Sequence, residues 1–334
     1  MKILVVGAGF AGAVIARECA EAGHVITVID QRDHIAGNAY DYIDENGIRI
    51  HKYGPHLFHT NNKAVIDWMS KFTEWTEYQH KVKAQLDDGR YVTLPVNKET
   101  KEIVGEENVL DIFFRPYTYK MWGKTLDELN PAIINRVPIR DDDNELYFPN
   151  DEYQQMPKDG YTKMFEKIYD HENIEVQLET SFDYWMEGDY DYVFNSMPID
   201  QYFGNRHGEL PYRSIKFHNV TLNQTRVLPT GTVNFTHDGP FTRVTEWKNI
   251  ANHGTNDYKT VLTYEEPCDY KDNNMERYYP VQDVEGTNRD TYKKYKDMVD
   301  DFKMQFIGRC GQYVYIDMHM AVSGALATAR KFLK

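Results

Sequence analysis

The feature that most constrains this chain is a glycine-rich turn near its start, placed between two apolar segments. The run Ile3 to Val6 leads into Gly7-Ala-Gly-Phe-Ala-Gly12, and a second apolar run, Val25 to Ile29, ends on Asp30. A helix is predicted between them, from residue 11 to about residue 22. In such a unit the glycines allow a tight turn and close packing, the helix N-terminus faces phosphates, and the acid accepts hydrogen bonds from a ribose. The sequence therefore predicts a dinucleotide-binding module.

Composition narrows the class of protein. The chain has 334 residues, a hydrophobic fraction of 41% and a formal net charge of −14. These values predict about two or three domains and argue against binding to nucleic acid or anionic membranes. The three cysteines and the histidines have no metal-ligand spacing, so no metal site is expected. Without a run long enough to span a membrane or a signal-peptide pattern, we expect a cytoplasmic protein with no membrane insertion.

Hydrophobic periodicity predicts a nucleotide-binding domain that is interrupted by other units. The predicted elements are a helix over 62–72, a hairpin of 82–86 with 91–94, short helices across 98–128, a helix over 160–169, strands at 174–178 and 192–196, an antiparallel sheet over 215–262, and a helix over 318–334. Residues 51–60 are predicted as a loop, and 140–144 as an exposed polar loop. The fold class is α/β, a Rossmann-like FAD-binding domain with an inserted small helical domain and an antiparallel β-sheet domain.

Dispersed motifs resemble those of the UDP-galactopyranose mutase family over nearly the whole chain, in the family's order. Examples are Tyr53-Gly-Pro-His-Leu-Phe-His-Thr, Tyr117-Thr-Tyr-Lys-Met-Trp-Gly, Arg136-Val-Pro-Ile-Arg and Phe241-Thr-Arg-Val-Thr-Glu. The resemblance implies FAD, active when reduced, with NAD(P)H as an external reductant, and a UDP-sugar substrate. It implies that UDP-galactopyranose and UDP-galactofuranose are interconverted through an adduct between the sugar and N5 of the reduced flavin, without net redox change.

The layout and the resemblance together predict three domains, two of them discontinuous. The FAD-binding domain comprises 1–72, 158–205 and 285–334, the short helical domain comprises 97–135, and the antiparallel-sheet substrate domain comprises 73–96, 136–157 and 206–284.

The resemblance also implies which residues contact the cofactor. They are Gly7, Gly9, Phe10, Gly12, Asp30, Gln31, Gly37, Asn38, His56, Leu57, His59, Arg309, Asp317 and Met318. From the sequence alone, His56 and His59 could equally be ordinary loop histidines.

Two arginines match the family's clamps on the leaving diphosphate, where negative charge builds up in the transition state. These catalytic candidates are Arg136, on a segment that resembles the family's mobile lid, and Arg243. The simpler alternatives are a solvated surface charge for Arg136 and an ion pair with Glu246 on a sheet face for Arg243.

A second set of residues matches the family's contacts to the uracil, the sugar and the phosphates, for which aromatic faces and hydroxyl groups are suited. They are His80, Phe113, Tyr117, Thr118, Trp122, Tyr147, Asn234, Glu265, Tyr279 and Tyr315. Plain core packing is the simpler alternative for the aromatic members.

The chain departs from the family pattern at several points. The segment between Pro95 and Trp122 is shorter than in typical bacterial members, Ala36 replaces a glycine, and Val314 and His319 replace an arginine and an acid. The short segment leaves the oligomeric state open, with a homodimer of uncertain mode as one alternative. Three alternative functions also stay open: a mutase for another nucleotide sugar (N-acetylated or 6-deoxy), an amine-oxidase-like flavin oxidoreductase, and a non-catalytic flavin-binding protein.

Overall fold

The computed structural model describes residues 1–129, 137–300 and 303–334. The strands are β1 (Lys2–Val6), β2 (Val25–Ile29), β3 (Asp41–Ile43), β4 (Arg49–His51), β5 (Phe58–Thr60), β6 (Trp75–Glu77), β7 (Val82–Gln85), β8 (Tyr91–Leu94), β9 (Tyr153–Pro157), β10 (Ile174–Gln177), β11 (Tyr192–Asn195), β12 (Tyr212–Leu222), β13 (Thr232–Phe235), β14 (Arg243–Glu246), β15 (Thr260–Asp269), β16 (Tyr279–Pro280) and β17 (Met304–Phe306). The α-helices of the same residues are α1 (Phe10–Glu21), α2 (Lys63–Met69), α3 (Lys98–Val104), α4 (Arg115–Trp122), α5 (Tyr161–Tyr169), α6 (Ile199–Tyr202), α7 (Thr287–Lys296), α8 (Gly308–Gly311) and α9 (Met318–Phe332).

A parallel sheet forms the nucleotide-binding part, with strand order β10-β2-β1-β11-β17. Both faces of its central strand are buried, which is why β1 reads as a continuous apolar run rather than an alternating one. Ile3 and Val5 pack into the core that includes α1, α5 and α9, while Leu4 and Val6 pack into the core on the opposite face. The predicted strand–turn–helix–strand unit and its Rossmann-like fold class are thereby confirmed.

A second sheet has the order β16-β12-β15-β14-β13-β7-β8 and is antiparallel except where β13 runs parallel to β7. The hairpin predicted at 82–86 and 91–94 forms its edge as β7 and β8. On β14 and β15 the register places Arg243 opposite Glu265. This pairing brings two oppositely charged side chains to the same position of the sheet.

The remaining elements connect the two sheets. A three-stranded sheet, β5-β9-β6, joins segments on both sides of the predicted boundary at residue 72. Between the hairpin and residue 129, the short insert consists of α3, a π-helix over Leu110–Phe114, α4 and 3₁₀ turns. Within the described residues, no helix is long and apolar enough to cross a membrane.

Two expectations about loops were correct only in part. Residues 51–60 are not all loop, because His51 ends β4 and 58–60 form β5. In the predicted polar loop 140–144, Asp141, Asp142 and Asp143 are exposed as expected but Arg140 is not. Only 9% of Arg140 is accessible, and its guanidinium donates to the carbonyl oxygens of Leu146 and Asn144 at 2.9 and 2.7 Å. The sequence shows the charge of Arg140 but not the backbone acceptors that the tertiary fold turns toward it.

Candidate active site

One cavity of about 350 Å³ lies at the carboxyl ends of the parallel strands. Each strand of that sheet contributes the residues that follow it: 7–12 after β1, 30–32 after β2, 180–182 after β10, 196–198 after β11 and 308–310 after β17. Ligands bind in open parallel sheets at this edge, because the strand ends and the helix N-termini that follow them converge there.

At its glycine positions, the glycine-rich turn approaches neighbouring backbone so closely that a side chain would not fit. Gly7 has φ +103°, and a Cβ on Gly12 would lie 2.0 Å from the carbonyl oxygen of Gly7. Gly9 faces Gly37 across the wall, where a Cβ on Gly37 would stand 2.9 Å from the Cα of Gly9. Larger residues at these positions would push the turn and the facing loop apart, so the wall depends on glycine.

The acid at the end of β2 is held in place by backbone groups. Asp30 accepts hydrogen bonds from the backbone N–H of Ala8 at 2.8 Å and of Arg32 at 3.0 Å. Arg32 in turn donates to Asn38 at 2.9 Å and forms an ion pair with Glu276 at 2.5 Å. This network joins three walls of the cavity, two from the Rossmann part and one from the segment before β16.

His56 lines the cavity close to the charged part of the second sheet. The backbone N–H of His56 donates to His51 Nδ1 at 3.0 Å, and its carbonyl oxygen accepts from the Tyr161 hydroxyl at 3.0 Å. Its ring nitrogen Nδ1 lies 2.9 Å from the carbonyl oxygen of Gly54. Burial, with the positive charges of Arg309 and Arg243 nearby, lowers the pKa of His56 to about 4. The imidazole is therefore neutral at physiological pH.

Arg243 and Glu265 form the electrostatic centre of the site. Arg243 Nε lies 2.8 Å from Glu265 Oε2, and Glu265 is 1% exposed. Burial raises the pKa of the Glu265 carboxyl, although the charge of Arg243 opposes this rise. The alternative pairing of Arg243 with Glu246 was wrong, because the Glu246 carboxylate accepts from the backbone of 227 and 228 and from Thr260.

Tyrosine hydroxyls surround this pair. Burial raises the pKa values of Tyr117 and Tyr279, while Arg243 lowers both. The rings of Tyr279 and Tyr315 stack with centroids 5.3 Å apart, and the Arg309 guanidinium carbon lies 5.4 and 5.2 Å from their centres. Arg309 also lines the cavity, so Tyr279 and Tyr315 lie between the cavity and the Arg243–Glu265 pair.

A further aromatic group lies near Arg243. Phe148 stacks on His59 at 3.5 Å and meets the Tyr147 ring edge-on at 4.9 Å. Tyr147 donates its backbone N–H to the carbonyl oxygen of His80 at 2.8 Å. Burial and the charge of Arg243 lower the pKa of His80 to about 3, so this ring is also neutral.

Most of the predicted residues come together around these features. The cavity is lined by Gly7, Gly9, Phe10, Gly12, Asp30, Gln31, Gly37, Asn38, His56, Arg309, Asp317 and Met318. Leu57 instead packs against the core, and His59 pairs with Asp151 at 2.5 Å beside the cavity. Arg136 lies outside the described residues.

The predicted substrate residues divide into three positions. Tyr117, Glu265, Tyr279 and Tyr315 accompany Arg243, with Trp122 6.3 Å from both Tyr279 and Tyr315. His80 and Tyr147 belong to the group around Phe148. Asn234, on β13, lies opposite Arg243, on β14. Phe113 is buried in the core beneath the hairpin, and Thr118 is buried on α4.

The sequence reasoning missed several walls of the cavity. These residues are Arg32, Thr180, Ser181, Phe182, Ser196, Met197, Pro198, Met275, Glu276 and Arg277. For residues 180–182 and 196–198 a signal existed, because both lie at the ends of strands that were predicted from the sequence. Nothing in the local sequence of 275–277 indicates a wall.

Fold and site define a dinucleotide-binding enzyme with a second, largely antiparallel sheet. Comparison with known proteins agrees: a model of a Rossmann-like NAD(P)-binding domain matches residues 5–72, and the UDP-galactopyranose mutase family model matches residues 112–315. The chain belongs to the UDP-galactopyranose mutase family, whose members are flavin-dependent isomerases.

Individual relatives cover nearly the whole chain. A probable UDP-galactopyranose mutase of Klebsiella pneumoniae is 34% identical over 99% of this chain and 94% of its own length. A dTDP-fucopyranose mutase of Escherichia coli is 30% identical over 100% of this chain and 98% of its own length. A crystal structure of reduced UDP-galactopyranose mutase superposes with a TM-score of 0.77 at 16% identity, covering 99% of this chain and 95% of that one.

Proposed function

We propose that this chain is an FAD-dependent mutase that interconverts UDP-galactopyranose and UDP-galactofuranose by ring contraction, without net redox change. The observation that carries the proposal is the Arg243–Glu265 pair, set among the tyrosines 117, 279 and 315 where the cavity ends. A partly exposed cation beside a dinucleotide cavity suits a reaction in which a diphosphate leaves and returns.

The residues of the cavity fit FAD. The turn from Gly7 to Gly12 opens α1 toward the cavity, Asp30 stands at the end of β2, and Gly9 and Gly37 leave the wall free of side chains. When bound and reduced, FAD supplies a nucleophilic nitrogen, N5, to which the sugar can be transferred while the diphosphate is held. The residues of this chain bind the cofactor, orient the sugar and stabilise the leaving group.

Each residue near Arg243 has a distinct proposed role. Arg243 stabilises the negative charge that develops on the diphosphate. The hydroxyls of Tyr279 and Tyr315, whose rings lie beside Arg309, donate hydrogen bonds to phosphate oxygens. The buried Glu265 fixes Arg243 through Oε2, while its Oε1 atom has no hydrogen-bond partner among the described residues and can accept from a sugar hydroxyl. Tyr147 and Phe148 offer faces for a pyrimidine ring.

A second candidate substrate is a 6-deoxy sugar on a thymidine nucleotide. The dTDP-fucopyranose mutase relative covers the full chain at an identity close to that of the UDP-galactopyranose mutase relative. Overall similarity therefore does not separate the two substrates, and the assay must include both.

The test is a product analysis with the reduced enzyme. The FAD-loaded protein, reduced anaerobically with dithionite, is incubated separately with UDP-galactopyranose and dTDP-fucopyranose, and furanose products are separated by chromatography. We expect furanose from UDP-galactose with the higher kcat/KM. A higher kcat/KM with dTDP-fucose supports the second candidate. Substrate-dependent reduction of oxygen without furanose in either reaction supports an oxidoreductase and contradicts both.

A further inference from the structure

A pair of buried histidines lies behind the cavity wall. His51, at the end of β4, is 1% exposed, and His253, in the turn that follows β14, is 3% exposed. Their Nε2 atoms lie 2.9 Å apart. Trp247 packs against both rings, with centroids 4.9 Å from His51 and 5.9 Å from His253, and Tyr161 meets His51 edge-on at 5.6 Å. The pair is therefore enclosed on several sides.

The hydrogen bonds of this pair allow one arrangement of protons. His51 Nδ1 receives the backbone N–H of His56 at 3.0 Å, so it carries a lone pair, and the proton of a neutral His51 must be on Nε2. That proton is donated to His253 Nε2, which leaves the His253 proton on Nδ1, 2.7 Å from the carbonyl oxygen of Ala251. Burial lowers the pKa values of both rings, which agrees with two neutral imidazoles.

The chain of hydrogen bonds ends at a residue of the cavity wall. The His56 backbone is fixed at its N–H by His51 and at its carbonyl by the Tyr161 hydroxyl, 3.0 Å away. His56 is also the wall residue whose environment includes both Arg309 and Arg243. At the other end, His253 is joined through the short segment from residue 247 to β14, the strand of Arg243.

We propose that His51, held in a single tautomer by His253, is a positioning residue that fixes His56 in the wall of the cofactor cavity. Without the acceptor on His253, the buried Nε2–H of His51 has no partner. The cost of that unpaired donor favours rotation of the ring out of its position, which takes the Nδ1 acceptor away from the His56 N–H and releases the His56 loop. The inference rests on the proposed function only in that activity is one of its readouts.

Substitutions by asparagine and glutamine test the two hydrogen bonds of the His51 ring separately. The His51→Asn amide oxygen can replace the Nδ1 acceptor for His56, whereas the longer His51→Gln side chain reaches His253 but leaves the His56 N–H without its acceptor. At the other position, His253→Gln can still accept from His51, and His253→Leu cannot. Ile168→Ala, a cavity at the opposite end of α5 from Tyr161, controls for lost stability.

The first readout is independent of activity. Long-range ¹H–¹⁵N correlation spectra of ¹⁵N-histidine-labelled protein, with and without FAD, should show His51 protonated only on Nε2 and His253 only on Nδ1, with assignments from the variants. A His51 ring protonated on Nδ1, or on both nitrogens at neutral pH, overturns the proposal. Because the FAD-free protein reports the same tautomers, this result stands even if the wild type makes no furanose.

The second readout compares the variants when loaded with FAD. His51→Asn and His253→Gln should keep kcat within about threefold of wild type, whereas His51→Gln and His253→Leu should lose about tenfold or more, with KM little changed and a shifted flavin absorption band. If the loss of kcat instead follows the fall in Tm across all variants, including Ile168→Ala, the role of the pair is structural and the proposal fails.

Discussion

Arg243 and Glu265 lie opposite each other on adjacent antiparallel strands, with Nε and Oε2 2.8 Å apart. The carboxylate is 1% exposed, whereas 28% of the arginine side chain remains accessible. The buried carboxylate therefore orients a guanidinium that is still partly accessible to solvent. Such a cation can approach an anionic ligand without losing the partner that orients it.

The first prediction concerns Arg243→Ala. Loss of a charge-assisted contact to a developing anion should lower kcat by about 10²–10³-fold. Lysine should rescue part of this loss, because it supplies charge without the planar fork that can grip two oxygens. Steady-state kinetics of the FAD-loaded variants measures both effects.

A stability control distinguishes catalysis from folding. Arg243→Ala leaves Glu265 buried without its partner, which should cost about 2–3 kcal/mol, less than for a fully buried pair because the arginine is partly exposed. Adding Glu265→Gln should recover much of that stability but none of the activity. If the double variant regains near-wild-type turnover, Arg243 does not act on the diphosphate.

The second prediction concerns the loss of folding stability at acidic pH. The pKa values of His56 and His253 are lowered to about 4 and that of His80 to about 3, because burial disfavours the charged rings. Their ordinary value is about 6.5, so the stability that they contribute is complete above pH 6.5 and is lost as the pH falls toward 4. Each ring should add up to about 1.4 kcal/mol per pH unit to the slope. Urea unfolding between pH 7 and 5 should show a smaller slope for His253→Gln than for wild type; equal slopes would contradict neutral buried rings.

The third prediction concerns the facing glycines. Gly37 has φ +54°, and its added Cβ would stand 2.9 Å from the Gly9 Cα, so Gly37→Ala should release FAD. Gly23, with φ +86° and no atom within 4 Å of an added Cβ, provides the control for backbone strain. Gly23→Ala should cost about 1 kcal/mol and keep its FAD. The FAD absorbance per chain after gel filtration gives the result. Equal FAD content in the two variants would show that the cavity wall does not depend on glycine at position 37.

The fourth prediction concerns the ion pair across the cavity. Arg32 joins Glu276 at 2.5 Å and stands 4.3 Å from the Tyr53 ring centre, which ties the segment before β16 to the Rossmann part. Glu276→Gln weakens that tie without changing side-chain size and should speed FAD dissociation about three- to tenfold, because a partly buried pair is worth about 1 kcal/mol. Stopped-flow fluorescence of released FAD measures the rate. An unchanged rate would show that the segment does not retain the cofactor.

The parts of the fold that could be predicted were set by local sequence. The turn from Gly7 to Gly12, the acid after β2 and the hairpin of β7 and β8 each have their spacing within about 30 residues. The short strand β5 could not be predicted, because three residues are too few to show an alternating pattern and its partner, β9, is almost a hundred residues away.

The site was predictable where motifs were contiguous and not where it depends on tertiary contacts. Arg243 and Glu265 were identified separately, but their pairing follows from the register of two strands. The wall at Met275 and Glu276 reaches the cavity through the ion pair with Arg32, and the His51–His253 contact joins residues 202 positions apart. No local pattern encodes such contacts.

The measurement that tests the central claim most directly is the number of products made per reducing equivalent. The FAD-loaded protein is reduced with one equivalent of dithionite under anaerobic conditions and mixed with a large excess of UDP-galactopyranose, while the flavin spectrum and the product are followed together. The proposed function predicts many molecules of UDP-galactofuranose per FAD, with the flavin still reduced at the end and no product from the oxidised protein. One product per FAD with reoxidation of the flavin, or equal turnover by the oxidised protein, would contradict it.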